Sequence, residues 1–347
     1  MEKPTIMDIA RRTGLSKGTV DRVLHNRGEV SKKSYDKVMT AVKEMGYEPN
    51  MYASLLAKSQ KRSIAVLLPS PEPGSYWELA SKGIGRIAQE LRGLGVTARL
   101  FTYQQYDEKE FQETCRAVLE SSPVAVLIAP MFKSDTIHFT EELEGQGIPF
   151  GYIDTKLDET HYLVFYGIPS NKSGYFCADI LTAGEKVDEV LMVRINKDME
   201  QESDPTVYRR AGFMAYMREH YPDTAIRQLF INPADPAATE SSLARFFEEF
   251  PNVRHIVMFN SRVHLLVPFL THASIPHLRI IGFDGIEANI AALKCGIVSM
   301  LIGQRPDQQV ERALKDLAEY AVLHRQPARQ NNFMHMLLLT RYNVDDD

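Results

Sequence analysis

The fold of the N-terminal region is decided by residues 5–24, which read TIMDIARRTGLSKGTVDRVL. Apolar residues recur at helical spacing on both sides of Gly14, and this pattern predicts two short helices separated by a turn. Thr5 and Ser16 stand immediately before the two helices, where a side-chain oxygen can accept from a free backbone N–H group. Two short helices joined by a turn of roughly three or four residues that contains glycine form a helix-turn-helix.

The second helix of such a motif lies in the major groove of DNA. Its N-terminal residues Lys17, Gly18 and Asp21 are therefore predicted to lie nearest the base edges, with Arg22 close behind. Gly18 has no side chain with which to read a base, whereas the Asp21 carboxylate can accept from cytosine N4 but is repelled by phosphate. Most of the base reading is therefore expected from Lys17, Asp21 and Arg22.

A third helix follows in the prediction. Ser31 is expected to cap it, an apolar stripe at helical spacing marks its buried face, and Gly46 is expected to end it. Residues 50–57 would form a further short helix, but two turns are marginal for an isolated helix in water. We therefore expect this segment to be helical only when something else holds it.

The charge of the chain is divided unevenly along its length. Residues 1–62 carry 13 Lys and Arg against 7 Asp and Glu, a net charge of +6, and the formal net charge of -5 for all 347 residues leaves -11 for the remainder. A basic head on an acidic body suggests that the head meets a polyanion while the body repels one. Composition alone would also permit an accidental asymmetry.

Several classes of protein are disfavoured by what the sequence lacks. No run of about 18 apolar residues occurs and the N-terminus is polar, so neither a membrane span nor a signal peptide is expected and a cytoplasmic location is predicted. Cys115, Cys177 and Cys295 lack C-x-x-C spacing, so they are expected to be small buried hydrophobes and not a disulfide framework or a zinc site. The histidines lack metal-binding spacing, and Gly83 and Gly85 lack the third glycine of a dinucleotide site. We therefore expect no metal, no cofactor and no enzymatic activity.

From Ser63 onward, short apolar runs alternate with amphipathic helical patterns. Repeated strand–helix units whose strands are buried on both faces imply parallel sheets covered by helices. The predicted fold is an all-α helix-turn-helix head followed by an α/β two-lobed domain with parallel sheets. The predicted domains are a DNA-binding head (1–48), a hinge helix and linker (49–62) and an effector-binding domain (63–345), with lobe 1 at about 63–165 and 305–328 and lobe 2 at about 166–304 and 329–345.

Ligands of open α/β sheets bind beyond the carboxyl ends of the strands, so the polar residues that follow the apolar runs are candidate ligand contacts. Amides and carboxylates bind hydroxyl groups, arginine binds oxygen atoms through paired N–H groups, and flat rings can cover the C–H faces of a sugar. A neutral or acidic polyol is the ligand that this set suits. The candidate residues are Tyr76, Trp77, Asp154, Thr155, Arg209, Asn260, Asp284 and Gln304.

These assignments have structural alternatives. Asp154 and Asp284 have the alternative role of capping helices or turns, and Tyr76 or Trp77 have that of packing between the lobes. A positive side chain turned into the cleft would favour a sugar acid or a sugar phosphate, and the sequence leaves open which basic residue points inward. The basic residues just past predicted strands are Lys133, Arg194 and Arg262.

The head resembles the DNA-binding domain of the lactose-repressor (LacI/GalR) family in residue type and spacing over residues 5–56. The resemblance implies a homodimer on a near-palindromic double-stranded DNA operator, with one head on each half-site and a hinge helix around 50–57 that folds on the DNA. It also implies that Leu56 enters the minor groove as an apolar wedge that kinks the duplex. Asp21 departs from the small hydroxyl residue expected at its position, so the operator is expected to differ from those of the best-known members. The residues that would contact DNA are Thr5, Ser16, Lys17, Gly18, Thr19, Asp21, Arg22, Ser31, Asn50, Leu56 and Ala57.

The body is similar to the type I periplasmic-binding-protein fold, which the same family carries as its effector domain. By that pattern, Tyr76 and Trp77 would stack on the ligand. The polar candidates would hydrogen-bond it, and Asn260-Ser261 departs from the family's usual Asn-Asp, which suggests altered ligand chemistry. The resemblance covers essentially all of 63–345.

The predicted function is sequence-specific transcription regulation, most simply repression of carbohydrate-utilisation genes under the control of a small-molecule carbohydrate effector. A sugar-binding protein with a vestigial head and an enzyme acting on carbohydrates are the alternatives. Whether the effector releases DNA or promotes its binding is left open by the sequence.

Overall fold

The computed structural model describes residues 4–24, 30–45, 62–195, 204–273 and 275–344. The predicted DNA contacts Asn50, Leu56 and Ala57 lie outside the described residues, as does the whole of the segment 50–57. The chain divides into two units, Met1–Gln60 and Lys61–Asp347.

The first unit contains, in its described part, the helices α1 (Ile6–Thr13), α2 (Lys17–Leu24) and α3 (Lys32–Met45). Their apolar faces meet in a small core in which Ile9, Val20 and Val38 are fully buried. Helix α1 ends at Gly14, whose φ of 66° is the left-handed conformation that glycine readily adopts at a helix C-terminus. The predicted pair of short helices separated by a glycine turn is therefore confirmed.

Hydroxyl side chains cap the three helices of this unit. Thr5 Oγ1 accepts from the Asp8 backbone N–H at 3.3 Å, while the Asp8 carboxylate accepts from the Thr5 backbone N–H at 2.9 Å, so α1 begins with a reciprocal capping box. Ser16 Oγ accepts from the Thr19 N–H at 3.1 Å, and Ser31 Oγ accepts from the Ser34 N–H at 3.3 Å. The predicted caps are therefore formed.

The second unit contains two six-stranded sheets. The strands of the first sheet are β1 (Arg62–Pro69), β2 (Val96–Tyr103), β3 (Ala125–Ile128), β4 (Phe150–Ile153), β5 (Val164–Gly167) and β11 (Asn331–Phe333). They lie in the order β11-β5-β4-β3-β1-β2, and all neighbouring pairs are parallel. In the register of β1, Ile64 lies opposite Ala98 on β2 and Ala125 on β3.

Helices cover both faces of the first sheet. One face packs against α4 (Tyr76–Gly93) and α12 (Pro306–Leu323), and the other packs against α5 (Glu108–Glu120) and α6 (Lys133–Gly145). Alternate residues of β1 enter the two cores, because successive side chains of a strand point to opposite faces. A continuous apolar run is therefore what a strand in this position requires.

The second sheet repeats this arrangement. Its strands are β6 (Glu189–Ile195), β7 (Ala225–Ile231), β8 (His255–Val257), β9 (Arg279–Phe283), β10 (Met300–Gly303) and β12 (Leu337–Leu339). Their order is β12-β10-β9-β8-β6-β7, and only β12 is antiparallel to its neighbour. The covering helices are α7 (Ser170–Thr182) and α8 (Asp204–His220) on one face, and α9 (Pro236–Glu249), a 3-10 turn (Val263–Leu266), α10 (Val267–Ala273) and α11 (Glu287–Lys294) on the other.

The C-terminal strands differ from the prediction, which expected one strand near 333–339 and placed 329–345 in lobe 2. Residues 331–333 pair in parallel with β5 of the first sheet, and only 337–339 pair with β10 of the second. Met334 follows the first sheet, because its N–H donates to the Gly167 carbonyl at 2.8 Å and its side chain is buried in the first core. Each of the two short strands is thus an edge strand, β11 of the first sheet and β12 of the second.

Candidate functional site

A cavity of about 400 Å³ in the second unit is lined by residues that follow strands of both sheets. This volume lies in the range of small-molecule sites, roughly 300–1,000 Å³. Thr155 is not among its lining residues; its backbone N–H donates to the Ile153 carbonyl at 2.7 Å in a tight turn. The other seven predicted ligand contacts line the cavity, namely Tyr76, Trp77, Asp154, Arg209, Asn260, Asp284 and Gln304.

Arg209 places a buried guanidinium in the wall of this cavity. It lies on α8, is 3% exposed, and donates from Nη1 to the Phe259 carbonyl at 2.9 Å. Its Cζ lies 4.4 Å from the centre of the Phe283 ring, so the cation also stacks on an aromatic face. Within the described residues, Arg209 Nε is buried without a hydrogen-bond partner. A ligand oxygen would satisfy this donor.

Asp154 and Asp284 occupy equivalent places in the two lobes, directly after β4 and β9. Both have left-handed backbones, with φ of 64° and 68°, a conformation that Asp tolerates better than most residues. The Asp154 carboxylate accepts from the Tyr76 hydroxyl at 2.8 Å, and the Asp284 carboxylate accepts from Gln304 Nε2 at 2.8 Å. Both bonds thus go to residues of the cavity wall, which argues against plain helix or turn caps.

Burial controls the protonation of these carboxyl groups. Burial raises the pKa of Asp284 to about 6, against the lowering effect of the Arg209 guanidinium and of the Gln304 hydrogen bond. Burial also raises the pKa of Asp154, and Arg209 again opposes the shift. Burial and the neighbouring Asp154 raise the pKa of Tyr76 well above its usual value, so its hydroxyl keeps its proton and donates. The Arg209 guanidinium therefore favours the charged form of both carboxyl groups, Asp154 and Asp284.

The aromatic wall is set by the start of α4. Ser75 caps the helix by accepting from the Glu78 N–H at 3.2 Å, which places Tyr76 and Trp77 in its first turn. The two rings meet edge to face with centroids 5.0 Å apart. Both are almost fully buried against the first core and also line the cavity. They give this part of the wall an apolar surface that the C–H groups of a ligand can contact.

Two buried amides that the sequence analysis did not single out hold the loops of the site. Gln309, on α12, accepts from the Asp154 N–H at 3.0 Å and donates to the Gln304 carbonyl at 3.0 Å, so it ties two cavity residues together. Asn289, on α11, donates to the carbonyls of Ser261, Phe283 and Asp284 at 2.9, 3.0 and 3.0 Å. Both are fully buried. They are positioning residues, since they act through the residues that face the cavity.

Asn289 also fixes His264, another cavity residue that the sequence analysis did not assign. Asn289 Oδ1 accepts from the His264 backbone N–H at 3.1 Å and lies 2.8 Å from His264 Nδ1. Because that oxygen can only accept, Nδ1 carries a proton and Nε2 of the neutral ring is an acceptor. Burial lowers the pKa of His264, which favours this neutral form.

Of the three basic residues that follow strands, Arg262 lines the cavity. Lys133 pairs with Glu159, and Arg194 donates to Gln228 at 2.9 Å and stacks 4.7 Å above the Phe230 ring. The question that the sequence left open is therefore answered in favour of Arg262.

The first unit presents several of the predicted DNA contacts on one helix. Ser16, Lys17, Gly18 and Arg22 are exposed at or along α2, and Thr19 and Asp21 are half-buried. Ser16 and Thr19 also hydrogen-bond each other through their hydroxyls at 2.9 Å. Thr5 and Ser31 are exposed at the starts of α1 and α3. The start of α2 is thus an exposed polar surface at a helix N-terminus, which suits phosphate.

The remaining expectations concern metal sites, the burial of the cysteines and membrane-spanning helices. In the described parts of the chain, no group of three or more His, Cys, Asp or Glu side chains is arranged to hold a metal ion. Cys115 and Cys177 are buried, but Cys295 is exposed, so the expectation of buried cysteines is wrong for that residue. No described helix has both the length and the apolar character needed to cross a membrane.

Fold and site together define a class: a two-lobed domain of the periplasmic-binding-protein type, carried on one chain with a helix-turn-helix head. Family models match both parts, "Periplasmic binding protein domain" over residues 64–324 and "Bacterial regulatory proteins, lacI family" over residues 5–50. The chain belongs to the LacI family of bacterial regulatory proteins.

Individual relatives agree with this assignment. A transcriptional regulator of Bacillus subtilis, DegA, is 33% identical over 152 residues, which are 44% of each chain. The ribose operon repressor of Lactococcus lactis is 23% identical over 82% of this chain and 81% of its own. The alignments span 44%, 61% and 50% of the length of three curated regulators, DegA, AscG of Escherichia coli and GntR of Pseudomonas aeruginosa.

Solved structures agree with the fold. A candidate LacI transcriptional regulator from Bacteroides fragilis superposes with a TM-score of 0.77 at 33% identity, over 82% of this chain and 99% of the other. A solute-binding protein of Actinobacillus succinogenes with bound D-allose has a TM-score of 0.70 at 17% identity, over 83% of this chain and 100% of the other. At that identity the second likeness shows the fold alone.

Proposed function

We propose that this protein is a sequence-specific DNA-binding transcription regulator whose DNA affinity is controlled by a small carbohydrate bound in the cavity. In the simplest form it represses carbohydrate-utilisation genes. The name of one relative, the ribose operon repressor, agrees with this proposal. It acts in the cytoplasm, where its DNA is found, and has no catalytic step.

One observation carries the effector assignment. The cavity wall holds a buried donor, Arg209 Nε, and a buried acceptor, Gln304 Oε1, neither of which has a hydrogen-bond partner within the described residues. A buried polar atom without a partner costs roughly 1–3 kcal/mol, so such atoms are uncommon unless a ligand or water completes them. A hydroxyl group both donates and accepts, and a polyol supplies several of them.

The remaining wall supports a carbohydrate. The carboxylates of Asp154 and Asp284 accept from hydroxyl groups, and the amide of Asn260 both donates and accepts. Tyr76 and Trp77 cover an apolar face of the ring. Residues from both lobes take part, so a ligand bound in the cavity would favour one relative position of the lobes. That preference is the requirement for a ligand to shift a two-state equilibrium.

The head supports the DNA assignment. Lys17 and Arg22 are exposed on α2, and the helix-turn-helix geometry directs this helix into the major groove. We propose that a homodimer places two heads on a near-palindromic operator. Sedimentation of the full chain should then give twice the monomer mass of 39.4 kDa. A monomer at the concentration that binds DNA would contradict the dimer.

The DNA assignment is tested by selecting binding sites for the full chain from random duplexes and measuring affinity against salt. A DNA-binding regulator should enrich a near-palindrome, and log K should fall against log salt by about 0.9 for each phosphate neutralised. No enriched sequence, with carbohydrate binding intact, would favour the alternative of a sugar-binding protein without a working head.

Arg22→Ala should weaken binding to the selected site by about 1–3 kcal/mol and relax its sequence preference. Arg11→Ala is the matched control, because Arg11 is an exposed arginine on α1 that pairs with Asp8 at 3.5 Å. It should leave the sequence preference unchanged. Equal effects of the two substitutions would remove Arg22 from the base-reading surface.

A further inference from the structure

The cavity wall carries both carboxyl and guanidinium groups. Asp154 and Asp284 are the acidic residues among its described lining, and they share the guanidinium of Arg209. Arg262 is a second cation in the same wall. It follows β8, and its backbone N–H donates to Asn260 Oδ1 at 3.0 Å, which sets the loop that carries it.

The second cation acts on a different set of neighbours. The Arg262 guanidinium opposes the effect of burial on the pKa of Tyr106, to which it is hydrogen-bonded, and it helps to lower the pKa of His264. It is not among the causes that shift the pKa of Asp154 or Asp284, whereas Arg209 affects both. Arg262 is thus a second cation of the cavity, carried by the loop after β8, whereas the two carboxyl groups follow β4 and β9.

Two described neighbours of Arg262, Tyr106 and His264, carry no negative charge that would neutralise it. The Tyr106 hydroxyl is protonated near neutral pH, because burial raises its pKa, and His264 is held neutral with Nδ1 donating to Asn289. Among the described residues, Arg262 is thus a positive charge with the neutral polar groups of Tyr106 and His264 beside it. An anionic ligand group would form a charge-assisted hydrogen bond there, which is about twice as strong as a neutral one.

We infer that the effector is a carbohydrate with a single anionic group, a carboxylate or a phosphate, which binds Arg262 while its hydroxyl groups bind Asp154, Asp284 and Arg209. The inference rests on the proposed function, since it names the class of effector for the same cavity. A second anionic group beside Asp154 and Asp284 would be repelled by their carboxylates, so a single anionic group is inferred.

The test is calorimetric titration of the full chain with matched ligands. Hexoses such as glucose and galactose are offered as the neutral sugar, as the corresponding aldonic and uronic acids, and as the 6-phosphate. We expect one anionic form to bind at least about tenfold more tightly than its neutral parent. The comparison of acid with phosphate decides between the two sources of charge, and affinity for the preferred form should fall as salt is raised.

Variants isolate the contribution of Arg262. Arg262→Gln should bring the affinities of the anionic and neutral forms to within about twofold, and Arg262→Lys should restore part of the preference. Arg194→Gln is the matched control, an arginine at a strand end that does not line the cavity. It should keep the preference of the unmodified chain.

The outcomes separate this inference from the proposed function. Tighter binding of a neutral sugar than of its charged forms would overturn the anionic effector and leave the regulator intact. Retention of the preference in Arg262→Gln would overturn the role of Arg262. Failure of every carbohydrate to bind, neutral or charged, would overturn both the inference and the proposed effector.

Discussion

Asp284 is an acidic group that folding places in a buried site. Its pKa in the folded protein is about 6, against 3.8 as the ordinary value. Between these values the folded state keeps a proton that the unfolded state releases, so stability falls as the pH rises from about 4 to about 6 and stays lower above that. At roughly 1.4 kcal/mol per pKa unit, the loss approaches about 3 kcal/mol. The buried charge of Asp284 in the ligand site thus lowers the free energy of unfolding at neutral pH.

Asp284→Asn should therefore raise the stability of the ligand-free protein at pH 7 and weaken carbohydrate binding, because the amide is neutral but accepts fewer hydroxyl groups. The gain should shrink as the pH is lowered toward 4, where the native carboxyl group is protonated. Urea unfolding at several pH values measures it. Asp223→Asn, at an exposed position outside the cavity, is the control. A gain that does not depend on pH would show that the buried charge of Asp284 is not its cause.

Asn289 stabilises the site through hydrogen bonds between its side chain and backbone groups of neighbouring loops. Its side chain makes three hydrogen bonds to carbonyls and accepts from His264, all at a fully buried position. Asn289→Ala should cost about 2–4 kcal/mol of unfolding free energy, because several buried carbonyls lose their donor. It should also weaken carbohydrate binding, since the Ser261 and Asp284 loops lose their anchor.

The matched control for this substitution is Asn343→Ala, at an exposed position where the amide side chain donates to the Leu338 carbonyl at 3.0 Å. Chemical denaturation and calorimetry measure both effects. A cost for Asn289→Ala no larger than that of the control would show that water replaces its hydrogen bonds.

Residues that follow strands were within reach of sequence reasoning, whereas residues that act from helices were not. Asp154, Asp284 and Gln304 come directly after apolar runs, and the geometry of parallel sheets brings such positions together. Asn289 and Gln309 lie inside helices, where an amide normally indicates a solvated face. Only the packing of α11 and α12 against the strand-end loops reveals their role.

Helices α7 and α8 are the most closely packed pair of elements near the site. A Cβ atom on Gly174 of α7 would overlap the Arg209 carbonyl of α8, and one on Gly212 of α8 would overlap the Asn171 carbonyl of α7. The two glycines let the backbones approach each other, and this approach places Arg209 in the cavity wall. A sequence read alone gives no reason to prefer these glycines over others.

Gly174→Ala should separate the two helices and displace Arg209. We expect a loss of about 1–3 kcal/mol in unfolding free energy from the overpacking, together with weaker carbohydrate binding. Gly85→Ala on α4 is the control, because nothing lies within 4 Å of the added Cβ; it should change stability by less than about 1 kcal/mol, toward greater stability. Unaltered binding by Gly174→Ala would show that Arg209 does not depend on this contact.

At the level of elements, the long periodic helices were predictable and the short edge strands were not. Helix α12 shows a long periodic pattern, because its apolar positions repeat over several turns. Strand β7 was not predicted, since at the sheet edge it is only partly buried and reads AIRQLFI. Strands β11 and β12 are close in sequence but belong to different sheets. The local sequence does not show which distant strand each of them pairs with.

On the scale of the whole molecule, one chain joins a basic head to an acidic ligand-binding body. The net charges of +6 and -11 derived from the sequence fit this division, because the body repels the DNA that the head attracts. Coupling between the two is limited by the ligand's differential affinity for the two states of the protein, typically about 1–3 kcal/mol. The same coupling must then appear in both directions, as a change in ligand affinity when DNA is bound.

The most direct test measures the affinity of the full chain for its selected operator by fluorescence anisotropy, with and without a saturating bound carbohydrate. We predict a change of about 5- to 150-fold, in either direction, which follows from that coupling range. In Asp284→Asn the change should require a higher carbohydrate concentration, while operator affinity without carbohydrate stays the same. An operator affinity that is identical with and without the bound carbohydrate would contradict the claim that this cavity controls the DNA-binding head.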